Sequence, residues 1–134
     1  MSQDWVKDIN KMQSKYGVHK WMKNATADQQ LEYLKFRIKF IEEEFNELQS
    51  AAYHIDSEET VDALIDICVV AIGTLDAFNI DGHKAWDEVL KANMKKQVGV
   101  KETRPNPLGL PDLIKPEGWE GPDHEGNYGI LYDF

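Results

Sequence analysis

The chain has 134 residues and a formal net charge of −9, which suits one ordinary domain with a single core. Such an acidic balance argues against nucleic acid or an anionic membrane surface as partner, because both are attracted by Lys and Arg, and it is compatible with binding cations. One cysteine, Cys68, gives no disulfide framework and no CxxC zinc pattern. MSQDWVKDIN lacks a basic-then-apolar signal pattern, and the apolar run ICVVAIG is far short of the roughly 20 residues of a membrane span, so a cytoplasmic protein is expected.

Trp5, Ile9, Met12 and Tyr16 recur at steps of three and four, which predicts a short first helix within residues 3–16. Thr26 and Gln29 form a T-x-x-Q capping box ahead of Leu34, Ile38, Ile41, Phe45 and Leu48, predicting a second helix over about 27–53 with that stripe buried. Ser57 is the expected N-cap of a third helix that runs to about Asn79, with Glu58 and Glu59 favouring the dipole in its first turn. Asp81 is placed to cap a fourth, carrying Trp86, Val89, Leu90 and Met94 and ending near Gln97.

Beyond that the composition changes. All five prolines and six of the nine glycines fall in residues 99–134, so long helices are excluded there. Trp119, Tyr128, Leu131, Tyr132 and Phe134 indicate that this tail packs on something. The expectation is an all-α fold with helices 27–53 and 57–79 antiparallel. A helical domain spans 1–98, and an irregular tail, 99–134, packs on the bundle or on a neighbouring subunit.

From Phe40 through His83 there are eleven acids and no Lys or Arg. At 100° per residue Glu44 falls at the edge of the apolar stripe, with Glu47 about 60° further round, Glu43 beyond it and Glu42 on the other flank. Glu44 and Glu47 can therefore converge on one ion beside the core, while Glu42 faces water. Glu59, Asp62 and Asp66 make a second acidic strip at i, i+3 and i+7, heading the nearly all-apolar ICVVAIGTL. Ionised Asp62 and Asp66 are costly there unless something positive pairs with them. The bland alternative is the solvated face of an acidic helical protein. Oxygen-only ligands suit hard cations, and Mg²⁺ in particular is held by a few carboxylates plus waters and substrate phosphates. A di-iron bundle is set aside because no histidine lies three residues after a glutamate. An EF-hand fails because Tyr128 and Phe134 replace its glycine and its final glutamate.

On the fourth helix Asn93 lies on the Trp86 side, predicted buried, with Lys96 near its edge. A core hydrogen bond and a phosphate contact are both open to this pair. EEEFNEL at 42–48, VDALIDICVVAIGTLDAFNID at 61–81, DEVLKANMKK at 87–96 and KPEGWEGPD at 115–123 together resemble the MazG-like all-α nucleoside triphosphate pyrophosphohydrolases, a superfamily that includes phosphoribosyl-ATP pyrophosphohydrolase and dimeric dUTPase. The resemblance implies a four-helix bundle built by oligomerisation, as a homodimer or homotetramer. It further implies Mg²⁺, or Mn²⁺ in its place, and cleavage of a nucleoside triphosphate between the α and β phosphates. Carried over by position, Glu44 and Glu47 match the family's ExxE metal motif and Glu43 completes EExxE as the residue that orients or deprotonates water. Asp66 matches the aspartate of the second motif, ExxD, but Ala63 stands where its glutamate belongs. Asp62 or Glu59 then supplies the fourth metal ligand. Asn93 and Lys96 match the substrate-facing Asn-x-x-Lys. The competing reading is a non-catalytic helical oligomer or adaptor that keeps the fold.

Overall fold

The computed structural model describes residues 2–103, 108 and 112–133, the last two of these as backbone only; Phe134 and the side chain of Tyr132 lie outside the described residues. In chain order the elements are α1 (Trp5–Lys15), α2 (Val18–Asn24), α3 (Ala27–Tyr53), α4 (Ser57–Ala77), α5 (Gly82–Met94), β1 (Gln97–Gly99), β2 (Asp112–Ile114) and a 3₁₀ turn (Gly129–Asp133). The fold is all-α, with one two-stranded ladder. By packing, the chain divides into two compact units, Met1–Gly82 with Tyr128–Phe134, and His83–Asn127.

The first unit is built on the α3·α4 pair, against which α1 and α2 pack. The expected capping box is present: the Thr26 hydroxyl accepts from Gln29 N–H at 3.1 Å and the Gln29 side chain accepts from Thr26 N–H at 2.8 Å, fixing the start of α3. The cap of α4 is Asp56 rather than Ser57. Its carboxylate accepts from Glu59 N–H at 3.0 Å, and the shorter hydroxyl one residue on is already inside the helix. Between the two helices the chain reverses through a Schellman motif, with Asp56 N–H bonded to Ala51 carbonyl and Ile55 N–H to Ala52 carbonyl. Ile55 holds the left-handed position at φ 54°, a conformation that a β-branched side chain resists. The α4 terminus repeats the motif with Asn79 at φ 57°.

A polar network centred on the buried side chains of Gln13 and Asp76 ties α1 and α2 to α4. Asp76 accepts from Asn10 and Gln13 at 2.7 Å and lies 2.6 Å from His19 Nε2, while Gln13 also donates to the Gly73 carbonyl. Arg37 of α3 donates to Thr74 Oγ1 and the Val70 carbonyl. A Cβ on Gly73 would meet both Arg37 and Gln13, so glycine makes room for this network.

Ile9, Ala51, Ala63 and Val70 are buried in this unit, and Met22, Ala77 and Phe78 form a buried cluster covered by Val18, Tyr33, Leu34, Ile80, Ile130 and Leu131. Gly129 allows the last two to reach it. Its φ is 53°, Ile130 N–H donates to the Phe78 carbonyl at 2.8 Å, and a Cβ would collide with that carbonyl. The predicted burial of the α3 stripe is corrected here: Ile38 is 58% and Phe45 49% exposed, and on α4 Val61, Leu64 and Ile65 are exposed as well. Within the described residues, one chain does not supply the cover for this face. The absence of single helices long and apolar enough to cross a membrane holds for the described residues.

In the second unit β1 and β2 pair antiparallel, with Gln97 opposite Ile114, Val98 opposite Leu113 and Gly99 opposite Asp112. This ladder is unforeseen in the sequence, where no strand alternation stands out. Trp86, expected on a buried side, is 67% exposed.

Candidate functional site

The carboxylates gather where the C-terminal half of α3 faces the N-terminal half of α4. Antiparallel packing brings them together, since Arg37 reaches Val70 and Thr74 at the other end of the pair. Glu44 is buried, and its Oε2 is sealed from solvent without a hydrogen-bond partner among the described residues. Glu47, Asp62 and Glu59 are exposed and Asp66 is half-buried; Glu43 and Glu42 face solvent.

Electrostatics connect this set across the two helices. Burial pushes the Glu44 carboxyl above its usual range, followed by repulsion from Glu47 and Asp66, a close carboxyl contact with Glu47, and repulsion from Asp62. Asp66 is raised by burial, by repulsion from Asp62 and Glu47, and by a close carboxyl contact with Asp62. Glu59 is raised by partial desolvation and by Asp62, Glu47, Asp56 and Asp66. No cation is among these causes. Among the described residues the gap in Lys and Arg thus carries over from the sequence to the electrostatics of these groups, and Arg37 spends its guanidinium on Thr74 and Val70.

Glu44, Glu47, Asp62, Asp66 and Glu59 are therefore brought into one field. Asp62 and Glu59 both take part in it. Among the described residues no three acidic, histidine or cysteine groups are already gathered into a closed metal-binding cluster; the set is two facing strips. The donor chemistry nevertheless fits a hard divalent cation, because every available atom is a carboxylate oxygen and one of them is buried without a partner. Beside it an open cleft of about 690 Å³ is lined by Asp56, Glu58, Glu59, Val61, Asp62 and Ile65. Sequence reasoning missed Asp56 and Glu58 as cleft residues, taking one as turn and the other as first-turn dipole partner; their only signal was membership of the cation-free window.

Asn93 and Lys96 belong to the second unit, where both are half-buried at the end of α5. Lys96 N–H donates to the Asn93 carbonyl at 3.1 Å.

Individual curated proteins give no significant match to the chain. The profile of the phosphoribosyl-ATP pyrophosphohydrolase family matches residues 16–93, a span running from the start of α2 into α5 that contains both acidic strips and Asn93. With more than half of its length covered and with paired carboxylate strips on two facing helices, the chain belongs to the phosphoribosyl-ATP pyrophosphohydrolase family, within the MazG-like nucleoside triphosphate pyrophosphohydrolase superfamily.

Proposed function

We propose that this protein is a Mg²⁺-dependent nucleoside triphosphate pyrophosphohydrolase that cleaves a (deoxy)nucleoside triphosphate to the monophosphate and pyrophosphate. Family membership points to pyrophosphohydrolase activity on nucleotides. The observation that carries the finer reading is the buried, unpartnered Glu44 oxygen in a field made only of other acids.

In this reading Glu44, Glu47, Asp62 and Asp66 hold the cation, with Glu59 as an additional ligand and Mn²⁺ able to replace Mg²⁺. A bound ion of this kind supplies charge neutralisation on phosphate oxygens and positions water for in-line attack. The chain's own residues do the rest. Glu43, exposed on the turn that also carries Glu44 and Glu47, accepts a proton from the attacking water. Asn93 and Lys96 bind phosphate or sugar oxygens, the ammonium through charge-assisted hydrogen bonds. The exposed Ile38, Phe45, Val61, Leu64 and Ile65 support assembly as a homodimer or homotetramer, since so many large apolar side chains on two packed helices are costly to leave in water.

Incubation with a panel of nucleoside triphosphates and Mg²⁺ should release pyrophosphate. Release of orthophosphate instead, or full activity in Glu47→Gln and Asp66→Asn, would overturn the assignment. Failure to bind either Mg²⁺ or a non-hydrolysable triphosphate would favour the adaptor.

A further inference from the structure

We propose that Lys96, Lys115 and Trp119 form a preorganised polyphosphate-binding corner, in which Lys115 supplies a second cation for the phosphate chain of the substrate. The assignment of the ligand as a nucleotide's phosphate chain rests on the pyrophosphohydrolase reading above; the geometry of the corner does not.

The β ladder creates the juxtaposition. Gln97 pairs with Ile114, so continuing the antiparallel register by one position sets Lys96 opposite Lys115. Like charges directly across a pair of strands repel and weaken it. Here they are also drawn to one ring: the Lys96 ammonium lies 5.2 Å and the Lys115 ammonium 5.0 Å from the centre of Trp119. That ring is fixed from two sides. Its Nε1 donates to the Ala92 carbonyl at 2.7 Å, and its backbone N–H closes a turn onto the Pro116 carbonyl at 3.0 Å, with Gly118 at φ 76°. Among the described residues no carboxylate forms an ion pair with either lysine, although acids outnumber bases in the chain by 24 to 15.

The negative end of the α5 dipole accounts for one cation at this place, Lys96. It does not account for a second on the opposite strand. Two ammoniums steadied on an aromatic ring, with no ion-paired carboxylate among the described residues, suit a short, multiply charged oxyanion. A long polyanion is disfavoured by the net charge of −9. The chemistry is that of a di- or triphosphate chain.

Calorimetry with inorganic tripolyphosphate, the full chain and no divalent metal tests the corner. Lys115→Met keeps an apolar stem of similar length on Trp119 and removes the charge; it should weaken binding about tenfold with a melting temperature no lower than the wild type's. Lys115→Arg should restore it to within about twofold. No tripolyphosphate binding by the wild type, or equal binding by Lys115→Met, overturns the proposal. The two readings separate cleanly. Lysine-dependent tripolyphosphate binding without pyrophosphate release from any nucleotide would leave the corner standing and remove the enzyme. Brisk pyrophosphate release with a KM untouched by Lys115→Met would do the reverse.

Discussion

The α3–α4 face and the Lys96–Lys115 corner are opposites built by one device. The first sets carboxylate against carboxylate across two helices, with no described cation among the charges that shift them. The second sets ammonium against ammonium across two strands with no described carboxylate paired to them. Each carries like charges whose repulsion opposes folding, eased at the corner by the Trp119 ring. The difference is burial: the acidic face includes a sealed oxygen, Glu44 Oε2, whereas the lysines lie against an aromatic ring nearer to solvent. The comparison therefore predicts that charge removal at both places raises stability and lowers function, and more so at the acidic face.

The largest expected effect is on turnover. Glu47→Gln and Asp66→Asn should each lower kcat/KM by at least about a hundredfold, read as pyrophosphate release, since each removes charge that would act on the transition state. Next comes pH. The folded chain holds protons on Glu44 and Asp66 above the ordinary carboxylate range, so between that range and the raised values it binds more protons than the unfolded chain. Stability in the absence of metal should fall as pH rises through that window and stay low above it. Melting curves in chelator at pH 5 and pH 8 check the sign. Mg²⁺ should raise the melting temperature at pH 8 and do little at pH 5.

Glu44→Gln sharpens the same point. The metal-free protein should melt a few degrees higher at pH 8, and the Mg²⁺ increment should shrink. At the basic corner Lys115→Glu replaces a repulsive pair by an attractive one, and should stabilise by about 0.5 kcal/mol while abolishing tripolyphosphate binding. The last variant is a control that changes no charge. Ile55→Asn relieves the left-handed strain at φ 54° and should add about 0.5 kcal/mol at every pH and metal concentration.

Much of the first unit was legible because its signals are local. Thr26 and Gln29 announce a helix start within three residues, and the 3.6-residue period carries α3 to Tyr53. The acids were legible for a different reason: a missing residue type is visible without knowing the fold. What failed depends on distance. Val18–Asn24 is too short a helix to show a period, and it begins behind Gly17 at φ 78°. Strands of three residues, Gln97–Gly99 and Asp112–Ile114, leave no alternation to read, so the meeting of Lys96 and Lys115 was hidden. Periodicity also identified the apolar face of α3 without saying whether this chain covers it, and Ile38 and Phe45 are the result. Asp56 and Ser57 are both good caps, and only backbone geometry chooses between them. The fourth carboxylate was open between Asp62 and Glu59, and both enter the field of Asp66 and Glu44 or Glu47.

The return of Ile130 and Leu131 to Phe78 and Met22 has a consequence in time. A ribosome releases the α4 end of that core some fifty residues before the segment that covers it, and Gly129 admits the cover only when its own backbone has left the tunnel. Until then Phe78 and Met22 are without part of their roof. Completion of this core thus waits until residues 129–131 have emerged, and in that interval the exposed apolar face makes early encounter between chains a competing event.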